Sequence, residues 1–302
     1  NYYDVVLQRV LPNFFTYDGR FKKNIGMFVL ESEINNHVWI NRCNLMDCIL
    51  MPSKKEADYL RNKVKCPVYN IGEALDTNAF NKTYENFNKD VFGKYFVFYT
   101  INEMSGRKNL STLIRAYLSE FSYNDNTMLV IKTNRNIEED IKQIKNILRR
   151  FVQGQKYPTI MTISGHIPNE HIMAIHQHSQ CYVIPSLGDA FNRGAATALC
   201  FGNPVIATND TGICDYLDES TGWLIESNKE PCFISDPPIN DLYTSNEYFN
   251  VPTTYSLMKC MREAYSNKNL YLEKRKNIKN FNYLNKFDYK NVGNKILETI
   301  NV

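Results

Sequence analysis

Short apolar runs alternate with segments of helical periodicity along most of this chain, which is the pattern of a parallel α/β fold. The alternation is clearest between residues 94 and 225. We predict that strands in this part occupy 95–100, 128–132, 160–164, 181–185, 205–208 and 223–225. We predict helices at 110–121, 137–152, 169–179 and 193–201, and two or three more between 253 and 301. This part is therefore predicted to form a doubly wound parallel sheet.

The first 80 residues show the same alternation on a smaller scale. Strands are predicted at 4–11, 25–30, 48–51 and 68–71, with helices at 35–46 and 54–63. Ser53 and Glu56 have the spacing of a capping box at the start of the second helix. We predict a short first domain at 1–80, a polar linker at 81–93, a larger domain at 94–285 and a C-terminal helix at 286–302, for which packing on the first domain is an option. Residues 226–251 are expected to form a long irregular loop.

The composition is typical of a soluble globular protein, with 43% hydrophobic and 22% charged residues in a chain of 302. The net charge of +3 is too small to indicate a nucleic-acid partner. No apolar run reaches the length that spans a membrane, and no signal peptide is visible. The eight cysteines include no Cys-x-x-Cys pair, so we expect a reducing, cytoplasmic location and no structural zinc. Because the chain begins with Asn1 rather than Met, it is compatible with a fragment, a processed product or a trimmed protein.

The stretch from Cys181 to Thr208 contains the most informative pattern. An apolar strand is followed by a loop, a helix of small residues that begins at Arg193, and a second strand after Pro204. Such a unit belongs to a parallel sheet, and its loop lies at the carboxyl end of a strand, where open α/β sheets bind ligands. The start of the helix offers unpaired N–H groups and a positive dipole end, which suit a phosphate group.

This stretch resembles the donor-site signature of family 4 glycosyltransferases, whose GT-B fold has two Rossmann-like doubly wound domains. The matching residues are Pro185-Ser186, Gly188-Asp189, Phe191 and Gly202-x-Pro204-Val205-Ile206-Ala207. The family has two glutamates eight positions apart, and Asp189 and Thr197 hold these positions here. Ala190 and Asn192 replace two of the family's loop glycines, and of the two Asn tolerates a left-handed backbone better. The resemblance implies a two-domain α/β protein with a short first domain, since the family's acceptor domain is longer.

The resemblance also implies a donor site at two strand ends. Arg107, Lys108 and Asn109 match the family's phosphate-binding element, although Ile101-Asn102-Glu103 lacks the further Arg that is usual there. Asp189 would bond hydroxyl groups of the sugar, and Thr197 would make one bond to the ribose.

Other parts of the donor would meet two further loops. The loop Gly165-His166-Ile167 would lie beside the nucleobase. The segment formed by Phe191, Asn192, Arg193 and Gly194 would frame the donor.

Each of these residues also has a plainer interpretation. Arg107 and Lys108 could be a basic pair in a solvated turn, Asp189 could cap the following helix, and Thr197 could pack against the sheet. In the first domain, Glu31, Glu33 and His37 could face the cleft or be ordinary surface and capping residues. The histidines of the helix at 169–179 are expected to form an exposed polar face rather than a metal cluster; these are His171, His176 and His178.

The function implied by the resemblance is that of a retaining glycosyltransferase. It would move a sugar from a nucleotide-diphosphate sugar to an unknown glycan, lipid or protein acceptor. Cations at Arg107 and Lys108 and the helix start at Arg193 would neutralise the leaving group, so no metal and no other cofactor are expected. The helix at 137–152 has a basic edge that would also allow peripheral membrane contact or be a solvated face.

Two other functions remain open. The chain could be a degenerate GT-B domain that binds a sugar nucleotide or a protein partner without transfer, as Thr197, Ala190, the absent Arg and the short first domain indicate. It could also be another GT-B enzyme, such as a nucleotide-sugar epimerase, although the Arg-Lys-Asn element fits that enzyme class less well.

Overall fold

The computed structural model describes residues 3–33, 35–150, 154, 156–233, 243 and 246–300. Within these residues, two parallel sheets and one antiparallel ribbon are present. The strands of the first sheet lie side by side in chain order: β1 Val5–Arg9, β2 Lys23–Met27, β3 Cys48–Met51 and β4 Val68–Asn70. The second sheet has six strands: β5 Phe96–Ile101, β6 Thr127–Thr133, β7 Thr159–Ser164, β8 Cys181–Ile184, β9 Val205–Thr208 and β10 Gly222–Ile225. The ribbon pairs β11 Ser227–Pro231 with β12 Tyr248–Pro252.

Helices connect the strands and follow the last of them. The α-helices are α1 His37–Cys43, α2 Lys54–Arg61, α3 Leu110–Glu120, α4 Glu138–Arg149, α5 Asn169–His178, α6 Arg193–Cys200, α7 Thr254–Ser266, α8 Lys268–Phe281, α9 Tyr283–Lys286 and α10 Tyr289–Ile300. Short 3-10 helices occupy Pro12–Phe14, Thr77–Asn81, Gly106–Lys108 and Gly212–Asp215. Four helices therefore follow residue 253 in the described chain, where two or three were predicted. None of the described helices is both long and apolar enough to cross a membrane.

The six-stranded sheet is buried on both faces. Along β5, Val97 and Tyr99 belong to one apolar cluster and Phe98 to the cluster on the opposite face. Side chains alternate between the faces of a strand, so burial on both sides requires apolar residues at successive positions. This explains why the strands were visible in the sequence as continuous apolar runs.

The order of the strands determines where a ligand can approach. From one edge to the other, the six-stranded sheet reads β10, β9, β8, β5, β6 and β7. The chain therefore builds β5, β6 and β7 in one direction and returns to place β8 on the other side of β5. At such a switch point the loops after the two neighbouring strands diverge and leave a crevice. The predicted α/β fold with two parallel, Rossmann-like sheets is confirmed, and the reversed strand order of a doubly wound sheet is seen in the six-stranded one.

The C-terminal part of the described chain contacts both sheets. Ile296 and Ile300 of α10 pack on the apolar face of the four-stranded sheet, against Ile25 and Ile71 among others. The backbone N–H of Leu75 donates to the carbonyl of Phe287 at 2.9 Å. The C-terminal helix thus contacts the lobe formed by the first sheet and ties the two lobes together.

Residues 226–251 are more regular than expected. Their two ends form the ribbon, in which Ser227 pairs with Pro252 and Pro231 pairs with Tyr248. The sequence did not reveal β11 because its residues are mostly exposed and polar, so no apolar alternation marks it. The part of this segment at 234–242, 244 and 245 lies outside the described residues.

The prediction that the histidines of α5 form an exposed polar face is wrong for His176. Its side chain is 2% exposed, and its Nδ1 atom lies 2.9 Å from the hydroxyl of Tyr99. Asn203 Nδ2 donates to the same hydroxyl at 3.1 Å and to the carbonyl of His176 at 2.5 Å. Burial lowers the pKa of His176 to about 3, so the ring is neutral at physiological pH.

Replacement of Tyr99 by Phe tests this buried network. The change leaves His176 Nδ1 and one N–H of Asn203 without their partner in the core, and it should lower the free energy of unfolding by about 1–3 kcal/mol. Urea titration followed by circular dichroism measures the loss. Tyr289→Phe, at an exposed position of α10, is the matched control. Equal unfolding midpoints for the two variants would contradict the expectation.

Candidate functional site

The candidate site lies in the crevice between β5 and β8, opposite the four-stranded lobe. A cleft of about 390 Å³ opens there. Its walls come from the loops after β5 and β8 and from three residues of the first lobe, namely Val29, Glu31 and Glu73. Seven of the predicted site residues or their neighbours in sequence line it: Arg107, Lys108, Asp189, Ala190, Phe191, Asn192 and Arg193. Gly194 completes the wall at the start of α6.

The loop after β5 is held against the loop after β8 by backbone-directed contacts. Asn109 has a left-handed backbone with φ at 55°, and its Nδ2 donates to the carbonyl of Pro185 at 3.1 Å. The N–H of Leu187 donates to the carbonyl of Arg107 at 2.9 Å. Asn109 is therefore placed behind the cleft, where it fixes the two loops relative to one another, and it does not line the cleft itself.

Lys108 and Asp189 form the central ion pair of the cleft. Lys108 Nζ lies 3.1 Å from Oδ1 and 3.0 Å from Oδ2 of Asp189, and both side chains are largely buried. Asn192 Nδ2 donates to the same carboxylate at 2.8 Å. Burial alone would raise the pKa of Asp189, but Lys108, Arg107 and the Asn192 amide outweigh it and hold the pKa below its usual range. Asp189 is therefore ionised at neutral pH.

Arg107 joins the two lobes across the cleft. Its Nη2 lies 3.1 Å from Glu31 Oε1, its Nη1 donates to the carbonyl of Gly188 at 2.8 Å, and the distance from Nη1 to Asp189 Oδ1 is 4.0 Å. Burial raises the pKa of Glu31, and the nearby Arg107 offsets only part of this effect. Two cations thus meet two carboxylates, so the charges of these four side chains sum to zero when all are ionised.

Asn192, rather than Asp189, caps helix α6. Its Oδ1 accepts from the N–H of Ala195 at 2.8 Å, and its φ of 57° is in the left-handed region, as predicted for the residue that replaces a glycine. The alternative that Asp189 caps this helix is wrong, because the Asp189 carboxylate is bound to Lys108 and Asn192. Ala190 does not need a glycine-like backbone, since its φ is not positive.

Two glycines allow close approaches at the site. A Cβ atom on Gly194 would overlap the hydroxyl of Tyr182, which lies under the start of α6. A Cβ atom on Gly188 would overlap the carbonyl oxygen of Glu31 in the other lobe. The loop after β8 can therefore touch the first lobe only because position 188 has no side chain.

Arg193 and Phe191 both lie beside the start of α6, but Arg193 contacts the first lobe and Phe191 packs in the core. Arg193 Nη1 lies 3.0 Å from Glu73 Oε1 and 3.2 Å from the carbonyl of Ala74, so this side chain bridges to the first lobe at the rim of the cleft. Phe191 packs on Tyr216 and Phe287 with ring centroids 5.1 Å and 5.4 Å away. Phe191 therefore anchors the loop in the core.

The other predicted donor-binding residues do not line the described cleft. Gly165 has a left-handed backbone, and its carbonyl accepts from Lys132 Nζ at 2.8 Å. His166 is exposed beside it, and Ile167 packs against the core. Thr197 is 7% exposed in the second turn of α6.

Several cleft residues were missed or only partly identified from the sequence. For Glu31 and Glu33 the sequence left open whether they face the cleft; Glu31 lines it, and Glu33 lines an adjoining cavity. The Glu31–Arg107 pair was not predicted, since it joins positions far apart in the chain. Glu73 follows the left-handed Gly72 and carries no distinguishing pattern. His37 is exposed at the start of α1 and lies outside the cleft.

Asn102 lies where the related family usually has a further Arg, and it lines the cleft. Its Nδ2 donates to the hydroxyls of Thr100 and Tyr182 at 2.7 Å and 3.0 Å. Asn102 therefore fixes Tyr182 under α6. It does not supply the positive charge that an Arg at position 102 would bring.

Metal and disulfide chemistry find no support in the described side chains. Among them, no cluster of three or more His, Cys, Asp or Glu residues has the arrangement of a metal site. The eight cysteines, all of which lie in described segments, are free thiols.

Solved structures with similar folds place this geometry in context. Sucrose-phosphate synthase from Thermosynechococcus elongatus superposes with a TM-score of 0.69 at 14% identity, over 99% of this chain and 73% of that one. Anabaena HepE, solved with UDP and glucose, gives a TM-score of 0.66 at 14% identity, over 92% and 72% of the chains. A variant of S. aureus TarM, solved with Fondaparinux, alpha-GlcNAc-glycerol and UDP, gives 0.64 at 12% identity, over 92% and 51%. At these identities the similarity is one of fold.

Sequence comparison is more specific. The chain has no significant match among curated protein sequences. Residues 82–234, which are half of the chain and include both loops of the cleft, match the family described as glycosyl transferases group 1. This chain is therefore a member of the group 1 glycosyl transferases and has the GT-B fold.

Proposed function

We propose that this protein transfers a sugar from a nucleotide-diphosphate sugar to an acceptor, with retention of the anomeric configuration and without a metal ion. The observation that carries the proposal is the cluster of Arg107, Lys108 and Asp189 at the switch point of the six-stranded sheet, beside the start of α6. Its cations and N–H groups fit a diphosphate, and its ionised carboxylate fits a sugar hydroxyl.

Electrostatic stabilisation of the leaving group is the main catalytic effect that this cluster offers. As the bond to the sugar breaks, negative charge grows on the diphosphate. Lys108, Arg107 and the N–H groups at the start of α6 would surround that charge in a largely buried site, where such interactions are strong. The donor is a substrate, and the proposal includes no bound cofactor. Asp189, fixed by Lys108 and Asn192, would hold a hydroxyl of the sugar in place.

Diphosphate binding would require an exchange of partners. In the structure Lys108 is bound by Asp189 and Arg107 by Glu31. Phosphate oxygens would take over some of these contacts, so part of their binding energy would replace ion pairs that already exist. We therefore expect moderate rather than very tight affinity for the nucleotide.

We also propose contacts to the base and the ribose of the donor, from residues at and near the neighbouring strand ends. Gly165, His166 and Ile167 would lie beside the base, and Thr197 would make a single hydrogen bond to the ribose. HepE and TarM were each solved with UDP, and we propose UDP as the first nucleotide to test. Asn109, Phe191 and Gly194 would hold the loops that frame the donor.

The acceptor would enter from the first lobe. A second cavity of about 410 Å³ adjoins the cleft, and both are lined by Val29 and Glu31. Its wall combines apolar side chains, including Leu30 and Trp39, with the carboxylate of Glu33. The proposed acceptor is a glycan, a lipid or a protein. The proposed location is cytoplasmic, and the basic side of α4 would allow peripheral membrane contact.

A binding module without transfer activity is the second candidate. It is favoured by Thr197, which replaces a carboxylate, and by Asn102, which replaces a cation and is bound to Tyr182. Both substitutions reduce the number of charged groups available to a nucleotide sugar. The two candidates differ in turnover, which is measured as the release of free sugar from the donor.

Lys108→Ala tests the donor site. A panel of UDP-, GDP- and ADP-sugars should include one class that raises the melting temperature of the wild type. In the variant the nucleotide should bind about 10–100-fold more weakly, because a charge-assisted hydrogen bond contributes about 1.5–3 kcal/mol. Lys142→Ala removes an exposed lysine of α4 that pairs with Glu139, and it is the control. No stabilisation by any nucleotide class would contradict the proposed donor site.

Asp189→Asn tests transfer chemistry separately from binding. With the preferred donor and water as acceptor, the wild type should release free sugar whose anomeric configuration, followed by proton NMR, is retained. The variant should bind the nucleotide part nearly as well but hydrolyse the donor at least about 10-fold more slowly, since one oriented hydrogen bond to the sugar loses its charge. Binding without turnover in the wild type would favour the binding module, and an inverted product would refute retention.

A further inference from the structure

Glu56 is a buried carboxyl group that the proposed mechanism does not use. It lies in the first turn of α2, its side chain is 5% exposed, and neither carboxyl oxygen has a hydrogen-bond partner among the described residues. Only half of the predicted capping box is formed. Ser53 Oγ accepts from the N–H of Glu56 at 3.3 Å, but the Glu56 carboxyl does not return a bond to Ser53. A buried polar group without a partner is costly, so its presence calls for a role.

The Glu56 side chain points into the seam between the lobes. It lines a cavity of about 20 Å³, which is large enough for a single water molecule, directly behind the donor cleft. Glu31 of the first lobe and Gly188 and Asp189 of the second lobe line the same cavity. Glu56 therefore shares one small space with both carboxylates that bind the cations of the cleft.

The charged and titratable groups around this cavity are mostly acidic. They come from α2 itself, from the loop after β2, from two loops of the second lobe and from the ribbon of β11 and β12: Lys55, Tyr59, Glu31, Glu33, Asp189, Asp210, Cys214, Asp215, Lys229 and Tyr248. Both cations already have partners: Lys55 is bound to the carbonyl of Asp210, and Lys229 Nζ lies 3.1 Å from Glu33 Oε1. Asp215 accepts from the N–H of Lys54. A further negative charge on Glu56 would have no compensating partner here.

These surroundings favour the protonated acid. Burial raises the pKa of Glu56 well above its usual range, and the charges of Glu31 and Asp189 raise it further. A neutral carboxyl group can donate a hydrogen bond, directly or through one water, to a carboxylate that shares its cavity.

We propose that Glu56 is a positioning residue whose protonated carboxyl group fills the seam behind Glu31 and Asp189 and keeps these carboxylates seated on Arg107 and Lys108. Its effect on nucleotide binding rests on the proposed function, but its effect on the seam does not. When Glu56 ionises, three negative charges share one cavity, and Glu31 or Asp189 must move away or the lobes must separate.

The pH dependence has a defined sign. Glu56 keeps its proton in the folded protein at pH values where the unfolded chain has lost it. Folded protein therefore binds more protons, and stability falls as pH rises from the unfolded pKa, near 4.3, towards the folded pKa. Glu56→Gln removes the titration and keeps the size and the neutral state of the side chain, so the variant should lack this fall.

UDP binding measured by calorimetry between about pH 5.5 and pH 9 tests the proposal. Wild-type affinity should fall with rising pH about tenfold more than that of Glu56→Gln, because the ionised Glu56 carboxylate adds a negative charge that repels the diphosphate. One unpaired charge at roughly 10 Å and an effective dielectric constant near 20 has an effect of about this size. Comparison at equal pH cancels the titration of UDP itself. Asp58→Asn, on the exposed side of α2 where Asp58 pairs with Lys54 and Arg61, is the control and should follow the wild type. Equal pH profiles for wild type and Glu56→Gln would overturn the inference and leave the proposed function intact.

Crystal structures at about pH 9 give a readout that needs no nucleotide. The distance from Arg107 Nη2 to Glu31 Oε1, now 3.1 Å, or that from Lys108 Nζ to Asp189 Oδ2, now 3.0 Å, should increase in the wild type and stay unchanged in Glu56→Gln. If no protein binds UDP at any pH, the proposed function fails for UDP, and these structures decide the inference alone. Unchanged distances in the wild type would then overturn it.

Discussion

The buried ion pair between Lys108 and Asp189 is the interaction on which the rest of the site depends. It joins the loops that follow two neighbouring strands, and it lies in a crevice where the strand order reverses. Loss of one partner would leave an unpaired charge in a largely buried position, which costs far more than loss of an exposed pair. Asn192 links this pair to the start of α6, because one side chain binds both the Asp189 carboxylate and the helix N–H of Ala195. Charge, loop shape and helix position are thereby set together.

A consequence of this pairing is that the positive charges of the cleft are cancelled by carboxylates of the protein itself. Arg107 is held by Glu31 of the other lobe, and Lys108 by Asp189 of its own. In this state neither cation is free to bind an anion from solution without losing its carboxylate partner. A ligand that offers a single phosphate must compete with two carboxylates for two cations, whereas a diphosphate can replace both contacts at once. The arrangement favours ligands whose charges match the spacing of both cations.

The fold and the core of the site could be predicted because both depend on short-range patterns. Burial on two faces produces apolar runs, so β3 and β9 were located to the residue and most other strands to within about two residues. Arg107, Lys108 and Asp189 could be grouped because the carboxyl ends of parallel strands lie on one edge of a sheet. The partners of these residues in the other lobe could not be found in this way. Glu31 and Glu73 are separated from Arg107 and Arg193 by long stretches of chain, and Glu56 looked like half of a helix cap until its surroundings were known.

The contact of Gly188 with the carbonyl of Glu31 makes the distance between the lobes depend on one missing side chain. Any Cβ atom at position 188 would act as a wedge between two backbones, since neither can yield as a flexible side chain would. A series of substitutions of increasing size at this position would open the seam in small steps without altering a charged group. The size of the side chain at position 188 therefore sets the width of the gap between the lobes. It does so without changing the charged residues of either lobe.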